Sequence, residues 1–210
     1  MIGRANFMKQ NDVTQRYGIG PVYPTGIRET IMRKFLPILL LPLIASCATT
    51  RTADKTAVSE VITADLARAD GAWAGVVTIS RRSDGVFLSL AGEAPTAGTF
   101  GMHLHSVGKC QGPDFTSAGA HWNPGMKQHG RDNPMGAHFG DLPNVVADED
   151  KKLTLEYKLP DIMLEGQGGL LDSDGAALVI HEKADDYLTD PSGNSGKRII
   201  CGTFKSGNRS

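Results

Sequence analysis

A chain of 210 residues with 40% hydrophobic and 21% charged side chains holds one globular domain of ordinary size and something besides. Its formal net charge is −1, but residues 1–46 carry six of the 22 Lys and Arg and two of the 23 Asp and Glu, so the remainder sets 16 basic against 21 acidic side chains. That balance of about −5 excludes nucleic acid as a partner and leaves only local positive charge to recruit an anion.

Residues 1–31 show no clear periodicity and are assigned no fold. "MRKFLPILLLPLIASC", Met32 to Cys47, has two basic residues, a short apolar run and then small residues before a cysteine, the pattern of a secretory signal over 32–46. Met32 therefore reads as the true initiator in preference to Met1, and residues 1–31 as untranslated or without order. The run is shorter than the roughly 20 residues that cross a bilayer. The ending "IASC" resembles the bacterial lipobox, in which the cysteine, here Cys47, is lipidated and becomes the mature N-terminus. The expectation is a protein of the periplasm or cell envelope, touching the membrane only through a lipid on Cys47. A plain signal peptide cut just past Ala45 is the alternative.

Residues 47–70, rich in Thr, Ala and Asp, read as a tether with at most a weak helical pattern over 58–68, and the domain is placed at 71–210. "GVVTIS" and "VFLSLAG" are β-rich runs joined by "RRSDG", a hairpin signal. Leu153, Leu155 and Tyr157 alternate with Thr154 and Glu156, as in a strand with one buried face. "ALVIHEK" and "RIICGTF" supply two more strands. The expected class is all-β, a Greek-key antiparallel sandwich or barrel. Between Ser106 and Val146 lies a Gly-, Pro-, His- and Asp-rich stretch with almost no strand signal, and a loop of that length needs something other than a core to hold it.

With Cys47 set aside, Cys110 and Cys201 remain, and outside the cytoplasm an even pair points to a disulfide, two buried thiols being the alternative. The chain has six histidines. His103 and His105 sit at i and i+2 of a strand and share a face, so both can reach one ion; a lone pair of this kind is more often two hydrogen-bonded surface histidines. His121, His129 and His138 all fall in the long loop, Asp141 follows three residues on, and His181 lies on a later strand. Imidazole suits zinc and copper, and one carboxylate among histidines suits zinc.

Taken together, "GMHLHSVGKC", "FTSAGAHWNP", "GAHFGDLPNV", "VIHEKADDY" and "GKRIICG" resemble the copper/zinc superoxide dismutases in their bacterial exported form, over nearly the whole domain. The resemblance implies copper bound by His103, His105, His121 and His181, and zinc bound by His121, His129, His138 and Asp141, with His121 bridging the two ions. It makes Asp185 the carboxylate that orients His103 and His129, and Cys110 and Cys201 the family disulfide. Arg198 would attract and orient superoxide beside the copper, with His121 its catalytic partner. Lys183 and Lys197 are left outside the site, and Asp186 reads as a solvated turn acid. The implied reaction is disproportionation of superoxide to dioxygen and hydrogen peroxide, protecting the envelope, by a monomer or homodimer. The rival is a non-catalytic envelope copper- and zinc-binding protein, against which Arg198 and Asp185 weigh.

Overall fold

The computed structural model describes residues 58–161 and 163–205. The signal over 32–46, lipidation at Cys47 and the first part of the tether lie outside the described residues.

Among the described residues nine strands form one antiparallel sheet: β1 (Val58–Arg68), β2 (Trp73–Arg82), β3 (Gly85–Glu93), β4 (Gly98–Phe100), β5 (Met102–His105), β6 (Val145–Ala147), β7 (Lys152–Lys158), β8 (Ala176–His181) and β9 (Arg198–Phe204). Their order is β4-β6-β7-β3-β2-β1-β9-β8-β5. The two ends of that order, β4 and β5, are separated in the chain by Gly101 alone, so the sheet must curl until its edges meet. The result is the expected all-β barrel, with long loops and, among the described residues, a single 3-10 turn at Thr116–Ala118.

The strands β2 and β3 form the expected hairpin, with Arg82 opposite Gly85 across Ser83 and Asp84. Alternation on β7 buries Leu153 and leaves Thr154 and Glu156 exposed. The tether is corrected over its second half. Val58–Arg68 is neither linker nor helix but a strand at the middle of the sheet, turning Ile62, Ala64 and Leu66 into the core. Its small inward Ala64 and polar outward residues weaken the local signal, and its place is set by pairing with β2 and, across more than 130 residues of chain, with β9. Burying a side chain such as Leu66, Ile79 or Leu178 contributes about 1.5–3 kcal/mol each, and a core of such residues carries the barrel.

The long loop has its own anchors. Phe115 and Ala118 pack on Ala177, Val179 and Cys201, which point outward from β8 and β9, as a small apolar cluster apart from the main core. The Cys110–Cys201 disulfide is formed and ties the loop to β9, closing 91 residues. In the ideal chain-entropy account such a closure contributes roughly 4–5 kcal/mol.

Candidate metal centre

Alternation along β5 sends Met102 and Leu104 into the core and His103 and His105 to the opposite face, where both rings are fully buried. One edge of β5 pairs with β8. The other edge is taken by both ends of the long loop: Trp122 N–H donates to the Leu104 carbonyl at 2.8 Å, and Leu104 N–H donates to the Gly140 carbonyl at 2.9 Å. These contacts set His121 opposite His105 and Asp141 opposite His103. A side chain at 140 would strike the Leu104 carbonyl, so this approach needs glycine. Trp122 itself packs on Phe139 and donates its indole N–H to Gly168 O at 3.2 Å. His181 closes β8 just past a register shift after Ile180, which re-aims it toward β5.

Ligand nitrogens of His103, His105, His121 and His181 all lie within 4.8 Å of one another. Each of the three strand-borne rings is oriented by one hydrogen bond. His103 Nε2 lies 2.8 Å from Asp185 Oδ2, His105 Nδ1 is 3.0 Å from Gly119 O, and His181 Nδ1 is 3.1 Å from Gly196 O. Those acceptors place the proton on the bonded nitrogen and the lone pair on the other. The others, Nδ1 of His103 and Nε2 of His105 and His181, are buried with no hydrogen-bond partner. Burial lowers the three pKa values to about 3, 2 and 4, so the rings are neutral. An unpartnered buried polar group costs about 1–3 kcal/mol. Three of them converging have the chemistry of a metal donor set, and the site fits a metal that accepts imidazole.

The second group is built on loops. Nδ1 of His121, His129 and His138 lie 3.0, 3.0 and 3.1 Å from Asp141 Oδ1. The His138 and His121 Nδ1 atoms are 3.2 Å apart. Donors about 2.0–2.2 Å from a tetrahedral zinc stand about 3.3–3.6 Å from each other, and the three contacts to Asp141 and the His121–His138 contact fall just short of that spacing. Asp141 Oδ2 accepts the Gly130 and His138 N–H groups, both at 2.9 Å, which leaves Oδ1 to face the histidines. The donors within 4.8 Å of one another here are those of His103, His121, His129 and Asp141, with His103 Nε2 bonded to Asp185, and His138 joins them through Asp141 Oδ1 and His121 Nδ1. Burial works against a proton on His129, yet its bonds to Asp141 and Asp185 raise its pKa to about 9. Burial likewise works to raise the Asp141 carboxyl, and the three histidines outweigh it and hold it below the usual range.

Asp185 joins the groups, with Oδ2 on His103 and Oδ1 3.0 Å from His129 Nε2. Its own burial opposes ionisation, but the bonds from His103, His129 and the Tyr187 N–H keep it ionised. Asp186 is exposed as expected but not idle: it accepts from Leu188, Thr189 and Asn194, bonds that lower its pKa to about 2 and pin the loop.

Arg198 donates to the Phe115 and Gly119 carbonyls, each at 2.8 Å, which fixes its guanidinium at the wall of a cavity of about 520 Å³. His121, His138, His181 and Lys127 share that cavity; Lys183 does not line it, and Lys197 faces a neighbouring recess. Lys127, two residues before His129, escaped the sequence reading, as did Asn144, Tyr187 and Gly193. Asn144 Oδ1 accepts the Asp185 N–H and its Nδ2 donates to Asp185 O, both at 2.9 Å. Gly193, at φ +63°, lies against Asp185 and His129 where a Cβ has no room. Asn144 stands in the "DLPNV" ending and Tyr187 closes "VIHEKADDY", so both could have drawn notice; Lys127 and Gly193 carry no local signal.

Comparison with known proteins agrees with this geometry. The sequence model of the family described as "Copper/zinc superoxide dismutase (SODC)" matches residues 73–204. "Superoxide dismutase [Cu-Zn]" of Caulobacter vibrioides is 42% identical over 147 residues, 68% of this chain and 84% of that protein. "Superoxide dismutase-like protein YojM" of Bacillus subtilis is also 42% identical over 147 residues, 68% of this chain and 75% of that protein. A crystal structure of a SOD-like protein from Bacillus subtilis, 41% identical, superposes with a TM-score of 0.65 and covers 70% of this chain and 99% of that one.

Proposed function

The chain belongs to the copper/zinc superoxide dismutase family, a copper- and zinc-dependent oxidoreductase, and on that premise we propose that it disproportionates superoxide in the cell envelope with the residues assembled above. His103, His105, His121 and His181 would hold copper, an all-imidazole set, and His121, His129, His138 and Asp141 would hold zinc. When bound, copper supplies one-electron exchange with superoxide, and zinc a fixed charge without redox chemistry.

The protein's own groups do the rest. Arg198, fixed by two carbonyls, binds the anion and turns it toward the floor of the cavity. Lys127 adds local positive charge to a chain that is negative as a whole. His121, its Nδ1 facing Asp141, is the ring placed to carry a proton at Nε2 to the reduced substrate. Two superoxide anions and two protons leave as one dioxygen and one hydrogen peroxide. The observation that carries this reading is the set of three unpartnered imidazole nitrogens, gathered with His121 within 4.8 Å, of which His181 lines the same cavity as Arg198.

The envelope location rests on the signal over 32–46, on Cys47 and on the disulfide, which persists in oxidising compartments. Detergent phase partition of the cell-expressed chain beside Cys47→Ser tests the anchor: the variant should leave the detergent phase, and equal partition removes the lipid from the account. The activity is tested by the dismutation rate of protein loaded with one copper and one zinc, beside Arg198→Lys and Arg198→Ala, at low and high salt. The expected rate is near the diffusional ceiling, falls with salt, and drops roughly tenfold or more in Arg198→Ala with Lys intermediate. Full loading without turnover would leave the non-catalytic metal-binding protein.

A further inference from the structure

Asp185 can orient two histidines only if its own backbone and carboxylate are held, and Tyr187, the last residue of "VIHEKADDY" and one given no role in the sequence reading, does much of that holding. Tyr187 N–H donates to Asp185 Oδ1, the oxygen facing His129, at 2.6 Å. Its phenol oxygen accepts the Asn144 N–H at 2.7 Å, fixing the residue whose side chain clamps the Asp185 backbone from both sides. Its carbonyl accepts the Asp132 N–H at 2.9 Å, and the Arg131 guanidinium lies 3.7 Å over its ring. Gly130 approaches so near the Tyr187 carbonyl that no side chain fits between them. Tyr187 does all this from φ +61°, a left-handed backbone that an aromatic residue adopts only where its surroundings dictate it.

Three segments meet at this residue: the loop through His129, the segment just past Asp141, and Asp185 itself. The one direct contact with the carboxylate is on Oδ1, which faces His129, not on Oδ2, which faces His103. We propose that Tyr187 is a positioning residue for the loop-borne metal, holding Asp185 and the 129–133 segment in register so that His129 presents Nδ1 beside Asp141. The inference rests on the reading that His129, with His121, His138 and Asp141, binds zinc.

The test is zinc and copper affinity by chelator competition on the full protein, for wild type, Tyr187→Phe and Arg131→Ala, with melting temperatures of the metal-free forms. Tyr187→Phe keeps the ring and removes the acceptor for Asn144. Its zinc dissociation constant should rise about tenfold, the lower end of the effect of losing an outer partner of a metal ligand. Copper affinity should stay within about twofold. Arg131→Ala keeps the hydroxyl and should move zinc affinity the same way by less. Unchanged zinc affinity in Tyr187→Phe overturns the proposal, and so does a parallel fall in zinc affinity, copper affinity and metal-free melting temperature, which marks general loosening. Should Tyr187→Phe not fold, Arg131→Ala decides alone, and wild-type zinc affinity there overturns it. Wild type that takes up no zinc would instead sink the assignment of the quartet.

Discussion

His103 and His105 stand on β5 and His181 at the end of β8, whereas His129, His138 and Asp141 stand on loop segments with no strand beneath them. On the strands each ring is turned by one outside acceptor and its other nitrogen is left bare. In the loop the donors are spent on one another, three imidazoles crowding one carboxylate oxygen. The difference has a physical root. Ladder hydrogen bonds and a packed core fix the backbone beneath the strand-borne rings. The loop-borne donors have little core beneath them and are placed by bonds among themselves. The strand-borne donors take their places from the barrel, and the loop-borne donors from one another.

The harshest way to break that contrast is to remove the hub. Asp141→Ala takes the shared acceptor from three histidines and the oxygen that fixes the Gly130 and His138 backbone. Zinc content by elemental analysis should fall from one per chain to nearly none, while copper uptake and the far-ultraviolet circular dichroism of the barrel persist. Equal loss of both metals would mean that the strand site depends on the loop site. A gentler probe is Gly193→Ala. The added Cβ would collide with Asp185 Oδ1 and stand 2.8 Å from His129 Nε2, at a φ of +63° that alanine disfavours. The expected result is a zinc dissociation constant raised about 10–100-fold, with copper less affected because Asp185 still reaches His103 through Oδ2. Unaltered zinc affinity would show that the Asp185–His129 contact is dispensable.

The same contrast decides what could be read from the residues alone. Strands β2, β3 and β7 announce themselves by alternation or by a turn, and the i, i+2 spacing of His103 and His105 puts them on one face before any coordinates are known. Strands β4 and β6 are three residues each, too short for a period to show. β1 hides because its partner β9 lies at the far end of the chain. In the loop, His121, His129, His138 and Asp141 stand out by residue type. The supports of that site do not: Gly193 matters for what a Cβ would hit, Tyr187 for its backbone conformation, and the Phe115 and Gly119 carbonyls that fix Arg198 belong to no side chain at all.

The smallest expected effect sharpens the contrast through protons instead of metals. In metal-free protein, burial lowers His103, His105 and His181 to about 3, 2 and 4, against about 6.5 in the unfolded chain. As pH falls below 6.5 the unfolded chain takes up protons that these rings refuse, so stability is lost progressively toward pH 4. His129 runs the other way. With its pKa raised to about 9, its contribution is complete below 6.5 and is lost as pH rises through 9. Asp141 and Asp185 are held low, so their contribution is complete above about pH 5 and begins to be lost toward pH 4, which adds to the acid-side fall. Each proton changes stability by about 1.4 kcal/mol per pH unit. His121, whose pKa burial also lowers, joins the three strand histidines on the acid side against His129 alone on the alkaline side, so the melting temperature of chelator-treated protein should peak near pH 6.5 and fall more steeply toward pH 4 than toward pH 9. A symmetric profile would mean that the strand histidines find protons or partners without metal, and the bare nitrogens would no longer mark a metal donor set.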